Sequence, residues 1–85
     1  MIPFNVEIVE PLLQKYPDLI IALSAGVVSM KMVRELLDID RYLMNDLYKA
    51  LMKAGAVTGV SSSCFRATPL MLEYLKSRRE SNESN

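Results

Sequence analysis

Apolar residues recur at the three- and four-residue spacing of amphipathic helices along most of this chain, and prolines and glycines divide them into short segments. Pro11 and Pro17 interrupt the first stretch, and a proline inside a helix removes a hydrogen bond at a cost of about 3 kcal/mol. We therefore predict a short helix with Pro11 near its first turn. A second helix, "PDLIIALSA", is expected to begin at Pro17 and to stop at Gly26.

A third amphipathic segment follows the brief β-prone stretch "VVS". Ser29 suits the N-cap position, because its hydroxyl accepts a hydrogen bond from an unpaired backbone amide. In "MKMVRELLD", Val33, Leu36 and Leu37 fall on one face, whereas the charged residues fall elsewhere. The segment is therefore predicted to be a short helix that buries one side.

The longest periodic segment, "RYLMNDLYKALMKA", predicts a helix over about 41–54. Either Asp40 or Asp38 can cap its start, and Gly55 supplies the left-handed residue that ends it. Its predicted buried stripe consists of Leu43, Leu47, Leu51 and Ala54. Only "DID" separates this helix from the preceding one, which is the short connection of a helix-turn-helix.

Two short strands and a closing helix are predicted for the last third of the chain. "AVTGV" and "CFRAT" flank the polar triplet "SSS", which predicts a hairpin over about 58–68. Pro69 is expected to open a final helix at about 70–79. The residues 81–85 are polar enough to be predicted as a disordered tail.

This order of elements predicts a mainly α protein with a small β-hairpin. In a winged helix-turn-helix, a three-helix core presents its third helix at the surface, and a hairpin, the wing, lies beside that helix. We therefore predict a single winged-helix domain over 1–80. Its three-helix core and wing occupy about 18–68, and extra helices lie at both ends.

Composition changes this picture in one respect, which is charge. Ten Lys and Arg residues balance ten Asp and Glu residues in the 85-residue chain, so no global field draws it to nucleic acid or anionic lipid. Any such attraction has to come from a local patch. The apolar fraction of 51% is sufficient for one hydrophobic core.

The chain is poor in histidine and cysteine, two residue types that often catalyse reactions or bind metal ions. It has no histidine and a single cysteine, Cys64, so we expect no zinc site, no activated thiol, no cofactor and no enzymatic activity. Cys64 is expected to be a small buried strand residue, and Asp38, Asp40 and Asp46 to be caps or solvated positions. Since a signal-peptide pattern and an apolar run of about 20 residues are also lacking, we expect a soluble, cytoplasmic protein without a membrane partner.

A pattern of core and cap positions runs through the centre of the chain: Val33, Leu37, Ile39, Leu47, Leu51, Gly55 and Val57. Over about 18–68 this pattern resembles the gamma domain of the FtsK-type DNA translocases. The resemblance implies a small winged helix that reads short oriented DNA sequences. The chain departs from that family at Asp46, where a basic residue would be expected, and it has no Gly-rich Walker-type loop for a motor. It would therefore be a free-standing module.

The predicted recognition helix carries a polar stripe at four-residue spacing: Arg41, Asn45, Lys49 and Lys53. Arginine can bind guanine and asparagine can bind adenine, each through two hydrogen bonds, while lysines contact phosphates. Further candidates for DNA contact are Tyr42 on the same helix, Lys31 and Arg34 on the preceding helix, and Ser62 and Arg66 on the wing. Each has a simpler interpretation, since every amphipathic helix has a solvated face and serine is an ordinary turn residue.

Two functions from different classes are consistent with these features. The first is a DNA-binding winged helix that acts as a transcription regulator or accessory factor, with helix 41–54 in the major groove and the wing on the backbone. The second is a protein-interaction winged helix in a replication, segregation or mobile-element assembly, for which Met44, Met52 and Tyr42 are expected to be exposed. The apolar last helix, with Leu70 and Leu72, could also pair two copies as a homodimer.

Overall fold

The computed structural model describes residues 3–83, and over this range it contains five helices and three short strands. In chain order they are α1 (Val6–Lys15), α2 (Leu19–Ser24), β1 (Val28–Ser29), α3 (Met30–Leu37), α4 (Arg41–Lys53), β2 (Val57–Gly59), β3 (Cys64–Ala67) and α5 (Pro69–Glu83). The predicted order of elements is confirmed.

The three strands form one antiparallel sheet in the order β1-β3-β2. Central Phe65 lies opposite Val28 on one side and Gly59 on the other, and Val57 lies opposite Ala67. The helices α2, α3 and α4 pack against this sheet and each other, while α1 and α5 are additions at the two ends. The chain therefore has the α-rich winged-helix-like fold that its sequence predicts.

The first helix differs from its prediction, because Pro11 lies at its sixth position and not in its first turn. Asn5 caps the helix instead, and its side-chain oxygen accepts a hydrogen bond from the Glu7 amide at 3.0 Å. Proline here removes one backbone donor on an exposed face, while Val9 and Leu13 are buried in the core on the other. Packing of that buried face therefore outweighs the single lost hydrogen bond.

Local capping fixes the two helices at the centre of the fold. The Ser29 hydroxyl accepts from the Met32 amide at 3.0 Å and starts α3, and the Asp40 carboxylate accepts from the Leu43 amide at 2.8 Å and starts α4. Asp38 has a different role, since its left-handed backbone (φ 55°) ends α3. Gly55, with φ 72°, follows the end of α4 as predicted.

The buried stripe of α4 was predicted one residue out of place at its start. Leu43 is 45% exposed, whereas Met44 is 2% exposed and joins Leu47 and Leu51 in the core. Both starting residues keep a helical spacing to Leu47, so periodicity alone did not separate them. The unbranched, flexible side chain of methionine is well suited to a buried position of this kind. The expectation that Met44 is exposed is therefore wrong.

Helix α5 buries Met71 and Leu75 and continues to Glu83. Its predicted end near residue 79 is therefore too early, and residues 81–83 of the predicted disordered tail are helical. Neither proline nor glycine follows Arg79, so nothing in the sequence forces the helix to stop there. Ser84 and Asn85 lie outside the described residues.

Three side chains join the first helix to the last, and we call them the α1–α5 clamp: Glu10, Tyr74 and Arg78. The Arg78 guanidinium donates to both Glu10 carboxylate oxygens, with Nε to Oε1 at 2.9 Å and Nη2 to Oε2 at 3.0 Å, and the Tyr74 hydroxyl also donates to Oε1. The Phe4 ring lies against the Tyr74 ring with centroids 5.4 Å apart. The Arg78 bonds, and then the Tyr74 bond, lower the pKa of Glu10 from 4.5 to about 2.

The helix cap at Asp40 gives a first testable expectation. Asp40→Ala removes the acceptor of the Leu43 amide, so we expect it to lower the free energy of unfolding by about 1 kcal/mol. The matched control is Asp46→Ala, which removes an exposed carboxylate from the same helix without touching its cap. Urea titration followed by circular dichroism measures both variants. Equal stability of the two would show that the cap contributes nothing.

Candidate nucleic-acid interface

A shallow groove of about 240 Å³ lies between α3 and the first half of α4, and we call it the α3–α4 groove. It is lined by Met30, Lys31, Arg34, Arg41, Met44 and Asn45. Three of these side chains are cationic, one is an amide and two are thioethers, and none of the six is acidic. The groove can therefore offer several hydrogen-bond donors to an anionic ligand over an apolar floor.

The spacing of these residues explains why they meet. Lys31 and Arg34 are three residues apart on α3, and Arg41 and Asn45 are four apart on α4, so each pair shares a helix face. The turn from Leu37 to Arg41 is too short to let the helices separate, and they pack side by side. The helix-turn-helix thus builds the groove from two local sequence patterns.

The cations of the α3–α4 groove have no ion-pair partner among the described side chains. Lys31 and Arg41 are exposed and Arg34 is half-buried. Among the side chains that the structure describes, none of the three forms an ion pair. Asp46 does not line the groove either, because it lies about 100° further round α4 than Asn45. Local positive charge is therefore present in a chain of zero net charge.

The second half of the predicted stripe lies outside the groove. Lys49 and Lys53 are exposed and continue along the outer face of α4 at four-residue spacing, while Arg41 and Asn45 line the groove. Tyr42, next to Arg41, is 78% exposed. The N-terminal half of α4 is consequently the part whose polar side chains, Arg41 and Asn45, line a concave surface.

The wing is short, and its tip lies beside the start of α3. Only residues 60–63 connect β2 to β3, and β1 pairs with β3 as far as Cys64, so little more than this tip extends beyond the sheet. Exposed Ser62 lies in the tip, and the Ser63 carbonyl accepts a hydrogen bond from the Met30 amide at 2.8 Å. Through Ser63, the wing tip that carries Ser62 is therefore held beside Met30 at one end of the α3–α4 groove.

Arg66 is the predicted site residue that lies on neither α3, α4 nor the wing tip. Burial alternates along β3, so the Phe65 ring points into the core and Arg66 points to the outer face of the sheet. Tyr48 of α4 packs on the core side, with its ring centroid 5.3 Å from that of Phe65. The sheet therefore separates the Arg66 side chain from α4.

Cys64 and the methionines complete the comparison with the predicted site. Cys64 is partly exposed, and not buried as expected, because it lies at the edge of the wing tip. Met30 and Met44 line the groove, although neither was predicted as a DNA-contact residue. The signal for Met30 is its position four residues before Arg34 on the same face of α3.

The packed helices α3 and α4, with a three-stranded sheet beside them, define the class of this protein as α-rich and winged-helix-like. Comparison with protein-family models, curated proteins and solved structures gives no match. The resemblance to the gamma domain of the FtsK-type translocases stays a prediction from the residues that carry it. Over residues 3–83, no helix is long and apolar enough to cross a membrane.

Proposed function

We propose that this protein is a non-enzymatic DNA-binding winged helix that acts in the cytoplasm as a transcription regulator or accessory factor. The observation that carries the proposal is the α3–α4 groove, where Lys31, Arg34 and Arg41 converge without acidic partners among the described side chains. Phosphate oxygens are the ligands that such a cluster of cations attracts most strongly.

The geometry supports a division of roles within this interface. Arg41 and Asn45 lie near the start of α4, where the recognition helix of a helix-turn-helix contacts base edges, so we assign them to guanine and adenine. Lys31 and Arg34 lie on the preceding helix and are assigned to phosphates. The Ser62 hydroxyl at the wing tip is assigned to the backbone on the adjoining side.

DNA affinity gives the direct test. Lys31→Ala combined with Arg41→Ala removes one proposed phosphate contact and one proposed base contact from the groove. We therefore expect duplex affinity to fall by about tenfold or more and the salt dependence to become shallower by about one phosphate contact. The measurement is fluorescence anisotropy of labelled mixed-sequence duplex and single-stranded DNA at two salt concentrations.

A matched control keeps the charge change the same. Lys76→Ala combined with Arg79→Ala also removes two exposed cations, but from α5. We expect this control to leave duplex affinity within about twofold of the unmodified protein. An equal loss in both double variants would reduce the effect to net charge and would contradict a DNA site in the groove.

A second candidate function, a protein-interaction winged helix, is favoured by one observation. Tyr42 is 78% exposed and Leu43 is 45% exposed at the start of α4, and aromatic residues of this kind anchor protein interfaces. Burial of Met44 and partial burial of Met52 remove two of the residues expected to form this surface. Tyr42→Ala and Leu43→Ala test this second function. If the variants lose binding to a partner protein but keep their DNA affinity, the surface at the start of α4 serves protein interaction and is separate from the DNA site.

A further inference from the structure

A second and larger groove, of about 540 Å³, lies between α2 and α5, and we call it the α2–α5 groove. Its floor is formed by Ile20, Ile21, Leu72 and Leu75. Ile21 is 63% exposed and Leu72 is 46% exposed, although each has a helix partner across the groove. Adjoining apolar side chains that stay in contact with water are typical of an interaction surface.

The rim of the α2–α5 groove is cationic. Lys76 and Arg79 are exposed, and neither forms an ion pair among the side chains that the structure describes. Arg78 also lines the groove, but Glu10 of the α1–α5 clamp holds it. Lys76 follows Leu72 by four residues and Arg79 follows Leu75 by four, so each floor leucine has a cation one turn along. None of the lining residues is acidic.

We propose that the α2–α5 groove binds an acidic amphipathic helix of a partner protein. The partner's apolar side chains, spaced three, four and seven residues apart, contact Ile21 and Leu72, and its flanking carboxylates pair with Lys76 and Arg79. From Leu72 to Arg79 the groove follows α5 for about 10 Å, which is two turns of helix. It shares no residue with the α3–α4 groove, so the inference does not depend on DNA binding.

Charge favours this partner over two other occupants. A second copy related by a two-fold axis would bring its own acid-free cationic lining against the first, which is repulsive. A nucleic-acid backbone would satisfy Lys76 and Arg79 but would leave the exposed Ile21 and Leu72 against phosphates. An amphipathic acidic helix complements both the floor and the rim.

A peptide-display selection against the full chain tests the proposal. Libraries of helical peptides of about 15 residues provide four turns with every apolar and charge pattern. We expect the enriched peptides to place apolar residues at helical spacing with Asp or Glu beside them. The best peptide is then made with a fluorescent label, and its affinity is measured by anisotropy.

Two α5 variants locate the binding site. Leu72→Asp puts a carboxylate in the floor and is expected to weaken the selected peptide by about tenfold or more. Leu70→Asp is the control, because Leu70 is also 46% exposed on α5 but does not line the groove, and it should leave affinity within about twofold. Lys76→Glu with Arg79→Glu should reverse the preference, so that a peptide with Lys in place of its acidic residues binds better, a gain that unfolding cannot produce.

Several results would overturn the proposal. These are an absence of enriched peptides, selected peptides that bind Leu72→Asp and Leu70→Asp equally well, and enriched peptides with basic flanks. A homodimer, detected by light scattering and dissociated by Leu72→Asp alone, would assign the groove to a second copy. Loss of duplex affinity in Lys76→Ala with Arg79→Ala that exceeds the loss in Lys31→Ala with Arg41→Ala would assign the rim to nucleic acid.

Discussion

Replacing Phe65 with alanine is expected to lower the free energy of unfolding by about 4 kcal/mol. Phe65 is fully buried at the centre of the three-stranded sheet, where its backbone pairs with β1 and β2 and its ring packs on Tyr48. Truncation leaves a cavity where helices and sheet meet. An 85-residue domain has a total stability of roughly 4 to 13 kcal/mol, so this one change could unfold it.

Truncation of an exposed aromatic side chain to alanine gives the control. Tyr42→Ala removes an aromatic ring that is 78% exposed, and we expect it to change stability by less than about 0.5 kcal/mol. Urea titrations of both variants, monitored by circular dichroism, supply the comparison. A Phe65→Ala protein as stable as Tyr42→Ala would mean that the sheet does not pack on α4 as described.

The α1–α5 clamp makes stability depend on acid pH. Glu10 has a folded-state pKa of about 2 against an ordinary value of 4.5, so its ionised form is favoured by folding. Its contribution is fully present above about pH 4.5 and is lost as the pH falls from there towards about 2. Glu10 and Arg78 are 27% and 26% exposed, so solvent screening reduces the contribution to about 2 kcal/mol.

Glu10→Gln tests this dependence, because glutamine keeps the shape of the side chain and removes its charge. We expect the variant to be less stable than the unmodified protein by about 2 kcal/mol at pH 7, with the difference shrinking below pH 4.5. Glu73→Gln, at an exposed position of α5, is the matched control and should show little difference at either pH. Thermal denaturation across the pH range measures all three proteins. A difference that stays constant with pH would exclude the carboxylate as its cause.

The parts of the fold that sequence predicts correctly are those fixed by near neighbours. The hydroxyl of Ser29, the left-handed Gly55 and the proline at the start of α5 each act within a few residues, so their effects are visible in the chain itself. Leu43 and Met44 are different. Choosing between them required the position of the other helices, which decides the face of α4 that is covered.

The residues of the candidate site likewise fall into those that local spacing predicts and those that depend on contacts between distant segments. The four-residue spacing of Arg41 and Asn45 is local, and the structure brings them together with Lys31 and Arg34 in the α3–α4 groove. The orientation of Arg66 depends on sheet register and on the side of the sheet that α4 covers, so sequence alone did not exclude it. The α2–α5 groove and the α1–α5 clamp likewise join segments far apart in the chain, and no periodic pattern connects them.

The α1–α5 clamp also sets an order of events during synthesis. Glu10 and Arg78 are 68 positions apart, so at about 5 to 20 residues per second the ribosome adds Arg78 roughly 3 to 14 seconds after Glu10. Until Arg78 is added, α1 can be held only by contacts with residues made earlier, and one of these, the Asn5 amide on the Ala54 carbonyl, becomes possible only once Ala54 has been added. The side-chain contacts between α1 and α5 are thus among the last of this fold to form.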